Sequence, residues 1–403
     1  MKKLKTILLA TILFTVSCNS QINSPANRII KVPDTSQNTI KVGPGKDYNT
    51  PSEAARIAVD GDVVEIAAGV YSGDVAVWRQ NNLTIRGIGG RPQIKASGAN
   101  AEGKGTWVIK GKNTTVENIE FSGASVPDQN GAAIRQEGTG LIIRHCYFHD
   151  NENGILAGGD PASNIVIEYS EFYRNGSGDG YTHNMYIGEV NSFILRFCYS
   201  HGAKIGHNVK SRARLNYILY NRIMDEQEGT SSYDIDLPNG GTAFIIGNSL
   251  QQGTGTDNPT MLSFGAEGLH YASNALYVVN NTFVNDLGSG RFIYAQENTN
   301  VVKVINNIFV GNGDVVNQPA ELQTNLIGID PMFVNPGEYN YHLKPESPAI
   351  DAGSNPGAVG DFVLTPAAHY IHPTKAQKRI TIRKIDIGAY EFMNVQNSMA
   401  RMK

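Results

Sequence analysis

The sequence predicts an all-β chain wound as a single parallel β-helix, with a short helical cap before it and a capping segment after it. Three observations carry this. Eight short strand-like segments, VENIEF, IRHCYF, IEYSEF, LRFCYS, LYNRI, IGNSL, VNNTF and INNIF, share one alternation. Aligned two residues before their Phe-like position, they put Ile119, Cys146, Ser170, Cys198, Asn221, Asn248, Asn281 and Asn307 in one row, mostly spaced in the mid-twenties. A sustained period of that size marks a solenoid, and three short strands with Gly/Asn turns fill one coil. Composition agrees: 43 glycines and only 18% charged residues in 403 suit many turns and a long core. An antiparallel sandwich would show hairpin turns and no such period.

The chain opens with a targeting segment. Lys2, Lys3 and Lys5 precede the apolar run Thr6–Val16, which is too short to span a bilayer comfortably. Ser17 and Cys18 follow, and this ending resembles a bacterial lipoprotein signal, which implies lipidation of Cys18. Residues 1–18 are therefore read as a signal peptide of an exported protein, lipid-anchored in the cell envelope or plainly secreted. Residues 19–40 are polar and read as a linker. In TPSEAARIA, Thr50 can cap a helix, Pro51 suits its first position and Glu53 completes a capping box. DVVEIAAGVY, residues 62–71, reads as a strand.

The β-helix is expected over residues 41–329. The aligned row shares a face with the Phe positions, so it points inward. Asn221, Asn248, Asn281 and Asn307 then form a ladder of amide hydrogen bonds. Cys146 and Cys198 lie two coils apart in that row, about 9.6 Å, beyond the reach of a disulfide. Both are expected as free, buried thiols.

This pattern resembles the right-handed parallel β-helix superfamily of pectate lyases and related polysaccharide enzymes. SPAIDAG (Ser347 to Gly353) with IDIGAYEF (Ile385 to Phe392) resembles the terminal segment of exported bacterial β-helix proteins. Residues 330–392 are expected to close the open last coil, leaving residues 393–403 as a tail. The basic run KAQKRITIRK alternates and reads as a strand in that cap, with one basic face.

A second strand in each coil carries the candidate chemistry. Ile134, Ile155, Met185, Val209, Ile235, Leu262 and Ile293 are its inward residues. Their outward neighbours form the row Arg135, Leu156, Tyr186, Lys210, Asp236, Ser263 and Tyr294. Tyr186, Lys210 and Asp236 thus stand about 4.8 Å apart on adjacent coils. Asn184, Asn208 and Asp234, one residue before the inward position, are expected beside them on the outer surface. His183, His207 and Arg212 flank the patch, while Arg135 and Tyr294 are read as ordinary surface residues. The long flanks YRNGSGDGYTH and MDEQEGTSSY can wall a groove.

Such a patch suits β-elimination on a polyuronate, which needs a cation on the sugar carboxylate and groups that move protons. Lys210 and Arg212 would neutralise the carboxylate, and Tyr186, His183 or His207 would carry the proton. KSRA resembles the Lys-Ser part of some β-helix alginate and chondroitin lyase sites. The next coil offers SYDIDLPNGG where those enzymes have an Arg. A carboxylate one coil away favours the charged form of a lysine, so Lys210 is read as a clamp rather than a base. Asn184, Asn208, Asp234 and Asp236 are candidate substrate contacts. If a metal binds, Asp234 and Asp236 are the candidate calcium ligands.

C5 epimerisation uses the same proton abstraction and is not separated from the lyase by sequence. A hydrolase is less favoured. Asp234 and Asp236 are usable carboxylates, yet the patterns of polygalacturonases, pectin esterases and pectate lyases are absent. The competing class is a non-catalytic glycan-binding or structural β-helix, its Lys–Asp pairs an ordinary feature of a solvated sheet face. Net charge is −3, from 34 basic and 37 acidic residues, which gives no argument for nucleic acid. The expected partner is an acidic polysaccharide, the expected state a monomer, and the expected membrane link only the lipid on Cys18.

Overall fold

The computed structural model describes residues 38–393. The expected signal peptide, Cys18, most of the linker and the tail beyond residue 393 lie outside them. No helix among the described residues is long and apolar enough to cross a membrane.

Three parallel sheets of 12, 10 and 11 strands form a β-solenoid of about ten turns. Each sheet takes one strand from each coil. In the first, Ser192–Arg196, Leu215–Leu219 and Thr242–Ile246 pair in register. The second runs through Met185–Ile187, His207–Ser211 and Tyr233–Leu237. The third runs through Tyr199–His201, Arg222–Met224 and Ser249–Gln252. Each coil supplies the crossover that parallel strands require.

The N-terminal helix is Pro51–Ile57, with Thr50 and Glu53 making the expected capping box. The single strand expected over 62–71 is two, Val63–Ala67 and Val70–Ser72. The chain turns at Ala68–Gly69, because a coil must leave one sheet for the next within a few residues.

The interior is one continuous apolar column, including Val64, Trp107, Phe148, Val209, Ile235, Phe264 and Val304. Phe121, Phe148 and Phe172 stack coil on coil with ring centres 5.3 and 4.8 Å apart. The predicted amide ladder is present. Asn221 donates to Asn248, Asn248 to Asn281, Asn281 to Asn307 and Asn307 to Asn325, each at 3.0 Å. Each rung also satisfies buried backbone groups, which are costly to leave unpaired. Cys146 and Cys198 are free and buried, as the coil spacing requires.

The C-terminal segment does not close the last coil. It runs back along the flank of the solenoid. Phe333, Tyr341, Leu343, Ile387 and Tyr390 pack on Met224, Val284, Ile308 and Leu326. Leu364, with Phe362 against it, packs on Ile194, Tyr217, Phe244 and Tyr277, an outward row in register on four coils. That row is apolar and needs cover, whereas Glu321–Gln323, on the last coil, stays exposed and paired on one side only. The basic run also departs from expectation. Only Lys375–Lys378 is a strand, and Arg379 is buried against Glu391 at 2.7 Å, donating further to the carbonyls of Gly388 and Asp386. The motif IDIGAYEF therefore supplies the partners of a buried guanidinium that fastens the segment.

Candidate active site

The strand His207–Ser211 lies between Met185–Ile187 and Tyr233–Leu237. Val209 points into the core. Gly206 lets the chain enter this strand, since a Cβ there would lie 2.0 Å from the Thr182 carbonyl oxygen. The outward row is in register as the alternation predicts: Arg135, Leu156, Tyr186, Lys210, Asp236, Ser263 and Tyr294.

The neighbouring row is not on the surface. Asn184 and Asn208 are 0% exposed and Asp234 is 2% exposed. Their side chains form a second internal ladder. Asn151 donates to Asn175 at 2.9 Å, Asn175 to Asn184 at 2.9 Å, Asn184 to Asn208 at 3.0 Å and Asn208 to Asp234 at 3.2 Å. Asn184 also donates to the His201 carbonyl at 3.0 Å, and Asn208 to that of Met224 at 3.3 Å. Asn184 immediately precedes its strand, and Asn208 and Asp234 are the second residues of theirs, at a level that the register between the two coils skips. Where the ladder is interrupted, strict alternation no longer sets side-chain direction. Buried in this way, the three cannot touch a polymer. Burial and the nearby charge of Asp225 raise the Asp234 carboxyl well above its usual range, against the Asn208 hydrogen bond.

His183 and His207 are also buried, 2% and 6% exposed. Their Nδ1 atoms are 2.8 Å apart, and His183 Nδ1 accepts from the His207 backbone N–H at 3.1 Å. Burial, with the charge of Lys210, lowers His183 to about 3. Burial, then His183 and Lys210, lowers His207 well below its ordinary value. Both shifts favour the neutral rings, and His207 Nε2 lies 3.6 Å from Asp236. The two rings build the floor. His183 stacks on Tyr186 at 5.7 Å and His207 on Tyr233 at 5.1 Å.

Above that floor the polar groups converge. Arg212 Nε donates to the Tyr186 hydroxyl at 2.7 Å. The Arg212 guanidinium lies over the Tyr186 ring at 5.7 Å and Lys210 Nζ at 5.9 Å. Lys210 Nζ is 3.3 Å from Asp236 and 3.6 Å from Glu267, and Arg212 is 2.7 Å from Glu267. Burial raises Asp236, and Lys210 only partly offsets this. Burial would also raise Glu267, but Arg212 and Lys210 override it and hold that carboxylate below its usual range.

Sequence reasoning missed Glu267, Asn239, Tyr271 and Glu189. Asn239 accepts from Arg212 and donates to Glu189 at 2.9 Å, and the Tyr271 hydroxyl donates to the Arg212 carbonyl. One signal pointed there. The longest interval in the repeat row, between Asn248 and Asn281, contains the loop GAEGLHYASN that carries Glu267 and Tyr271.

Tyr186 and Arg212 open onto a cleft of about 590 Å³. Arg135, Leu156, Tyr181 and Glu189 also line it. Tyr181, from the predicted YRNGSGDGYTH wall, is 84% exposed. Asp234 and Asp236 do not converge as a calcium site. One carboxylate belongs to the internal ladder and the other to Lys210. No group of three or more His, Cys, Asp or Glu side chains among the described residues is placed to hold a metal.

No family model matches the chain, and no curated protein matches it. Among solved structures it is similar to an alginate lyase from Paenibacillus sp. str. FPU-7, at 13% identity over 71% of this chain and 97% of that one, with a TM-score of 0.42. It is also similar to pectate lyase Pel9A, at 14% identity over 89% and 98%, with a TM-score of 0.43. A third is ORF18 of Geobacillus virus E2, at 13% identity over 66% and 52%, with a TM-score of 0.34. At these values the likeness assigns no role to any residue. The parallel β-helix rests on the strand pairing itself.

Proposed function

We propose that this protein acts on an acidic, uronate-containing polysaccharide at the Tyr186–Arg212 cleft, by β-elimination or C5 epimerisation. The observation that carries the reading is the hydrogen bond from Arg212 Nε to the Tyr186 hydroxyl at 2.7 Å, with both residues on the cleft wall. A uronate carboxylate placed against Arg212, with the charge of the buried Lys210 nearby, loses its charge penalty, which makes the adjacent C5 proton easier to remove. A phenol is among the groups that exchange protons in catalysis. Tyr186 is the proton carrier in this reading, and the buried His183 supports its ring. In elimination the C5–H electron pair becomes the C4=C5 bond as the glycosidic oxygen leaves C4 with a proton. In epimerisation Tyr186 keeps the proton taken from C5, and a proton from solvent is delivered to C5 on the opposite face.

Incubation with alginate, pectate and glycosaminoglycans tests this. Unsaturated product, seen by its ultraviolet absorbance, supports the lyase. Exchange of the C5 proton with solvent without that absorbance supports the epimerase. Binding with neither signal removes both and leaves a glycan-binding module. We place the protein in the cell envelope through a lipid on Cys18. Cys18→Ser should then move it from the membrane fraction to the soluble one, and unchanged fractionation would remove the anchor.

A further inference from the structure

The cleft extends along the solenoid axis beyond the reacting centre and reaches Arg135. We infer that Arg135 is a second carboxylate-binding residue, holding a uronate of the same polymer two coils from Tyr186. This rests on the acidic-polysaccharide reading above. Arg135 lies in the outward row with Leu156 and Tyr186, so it stands about 9.6 Å from Tyr186 along the axis. It lines the cleft, yet among the described residues its guanidinium has no ion-pair partner, and its buried Nε has no hydrogen-bond partner.

Cations nearby are matched. Lys104 and Lys110 pair with Glu102 and Glu137, and Lys210 and Arg212 pair with Asp236 and Glu267. Arg135 instead sits in register between Val108 and Leu156. Apolar neighbours lower the local dielectric, and a half-desolvated guanidinium there gains most from an incoming carboxylate. Its planar fork matches a carboxylate in two hydrogen bonds. Leu156 supplies an apolar floor between the two cationic positions, and the exposed Tyr181 ring offers a face on which a sugar can stack. The polymer therefore runs parallel to the solenoid axis, and affinity should depend on chain length.

Calorimetric titration of wild-type and Arg135→Gln protein with uronate oligosaccharides of graded length tests this, with steady-state kinetics on the same oligomers. Wild-type affinity should rise with length once an oligomer spans two coils. Arg135→Gln should abolish that rise, weakening longer oligomers about tenfold or more, raising their KM and leaving kcat unchanged. Arg135→Lys should fall between the two, since it keeps the charge and loses the fork. The thermal transition should not move. Equal length dependence in wild type and Arg135→Gln would overturn the inference while leaving the reaction reading intact. Arg135-dependent binding without any reaction would support the inference and remove the reaction. A sulfated galactan bound as well as the uronate chain through Arg135 would overturn the assignment to carboxylate, and a wild type that binds no uronate oligomer would overturn both readings.

Discussion

Arg212 Nε donates to the Tyr186 hydroxyl at 2.7 Å across two adjacent coils, which couples the proton carrier of the proposed reaction to its carboxylate clamp. Tyr186→Phe should therefore lower turnover by about a hundredfold or more while the ring still stacks on His183. Arg212→Lys keeps a cation but loses the fork that reaches Tyr186, Asn239 and Glu267 together. It should raise KM and lower kcat. Full activity in both variants, measured on the best acidic polymer, would remove this pair from the mechanism.

Glu267 occupies the place where a substrate carboxylate would meet Lys210 and Arg212. Glu267→Gln should free Arg212 of its carboxylate, leave Lys210 with Asp236 alone, and lower the KM for acidic oligomers several-fold, most at low salt, where charge attraction is least screened. A raised KM would show instead that Glu267 holds Arg212 in position.

Asp234 ends the internal amide ladder with a carboxylate where its predecessors have amides. One of its oxygens accepts from Asn208 and the other has no partner among the described residues. Its proton is held well above the ordinary carboxylate value in the folded chain. The folded state thus binds more protons than the unfolded one at any pH between those two values, and stability falls as pH rises through that window. Asp234→Asn should make this slope shallower, the remainder belonging to Asp225, Asp236 and Asp386, which burial also raises, and stabilise the protein at neutral pH by about 1 kcal/mol or more. Denaturant unfolding from pH 4 to 8 measures it, and a parallel loss of stability in the variant at every pH would refute the account.

Cys146 and Cys198 are buried in the first ladder, and burial pushes the Cys146 thiol up to about 12 and the Cys198 thiol up as well. A thiol reagent should modify both only after denaturation. Rapid modification of the native protein would show that the coils around residues 146 and 198 open readily.

The repeat row made the coil register legible because parallel strands stack like on like. A one-residue error in any coil would have moved a core residue to the surface. The same logic placed Tyr186, Lys210 and Asp236 side by side. It failed for Asn184, Asn208 and Asp234 because the ladder between coils is interrupted at their level, so strict alternation does not orient their side chains. It did not foresee that His183 and His207 are buried against each other and against the Tyr186 and Tyr233 rings. Glu267 was hidden for another reason: its loop reaches the site from the next coil, and no strand pattern describes where a loop folds.

Periodicity in the sequence determined the solenoid, its two thiols, its amide ladder and the outward row, since each follows from one repeating spacing. Only the tertiary structure decided which polar residues meet solvent and which carboxylates answer the cations. It also decided that the C-terminal segment covers the flank rather than the end. Those outcomes depend on contacts between loops and coils far apart in the chain, and on apolar rows that become visible as a surface only when the coils are stacked.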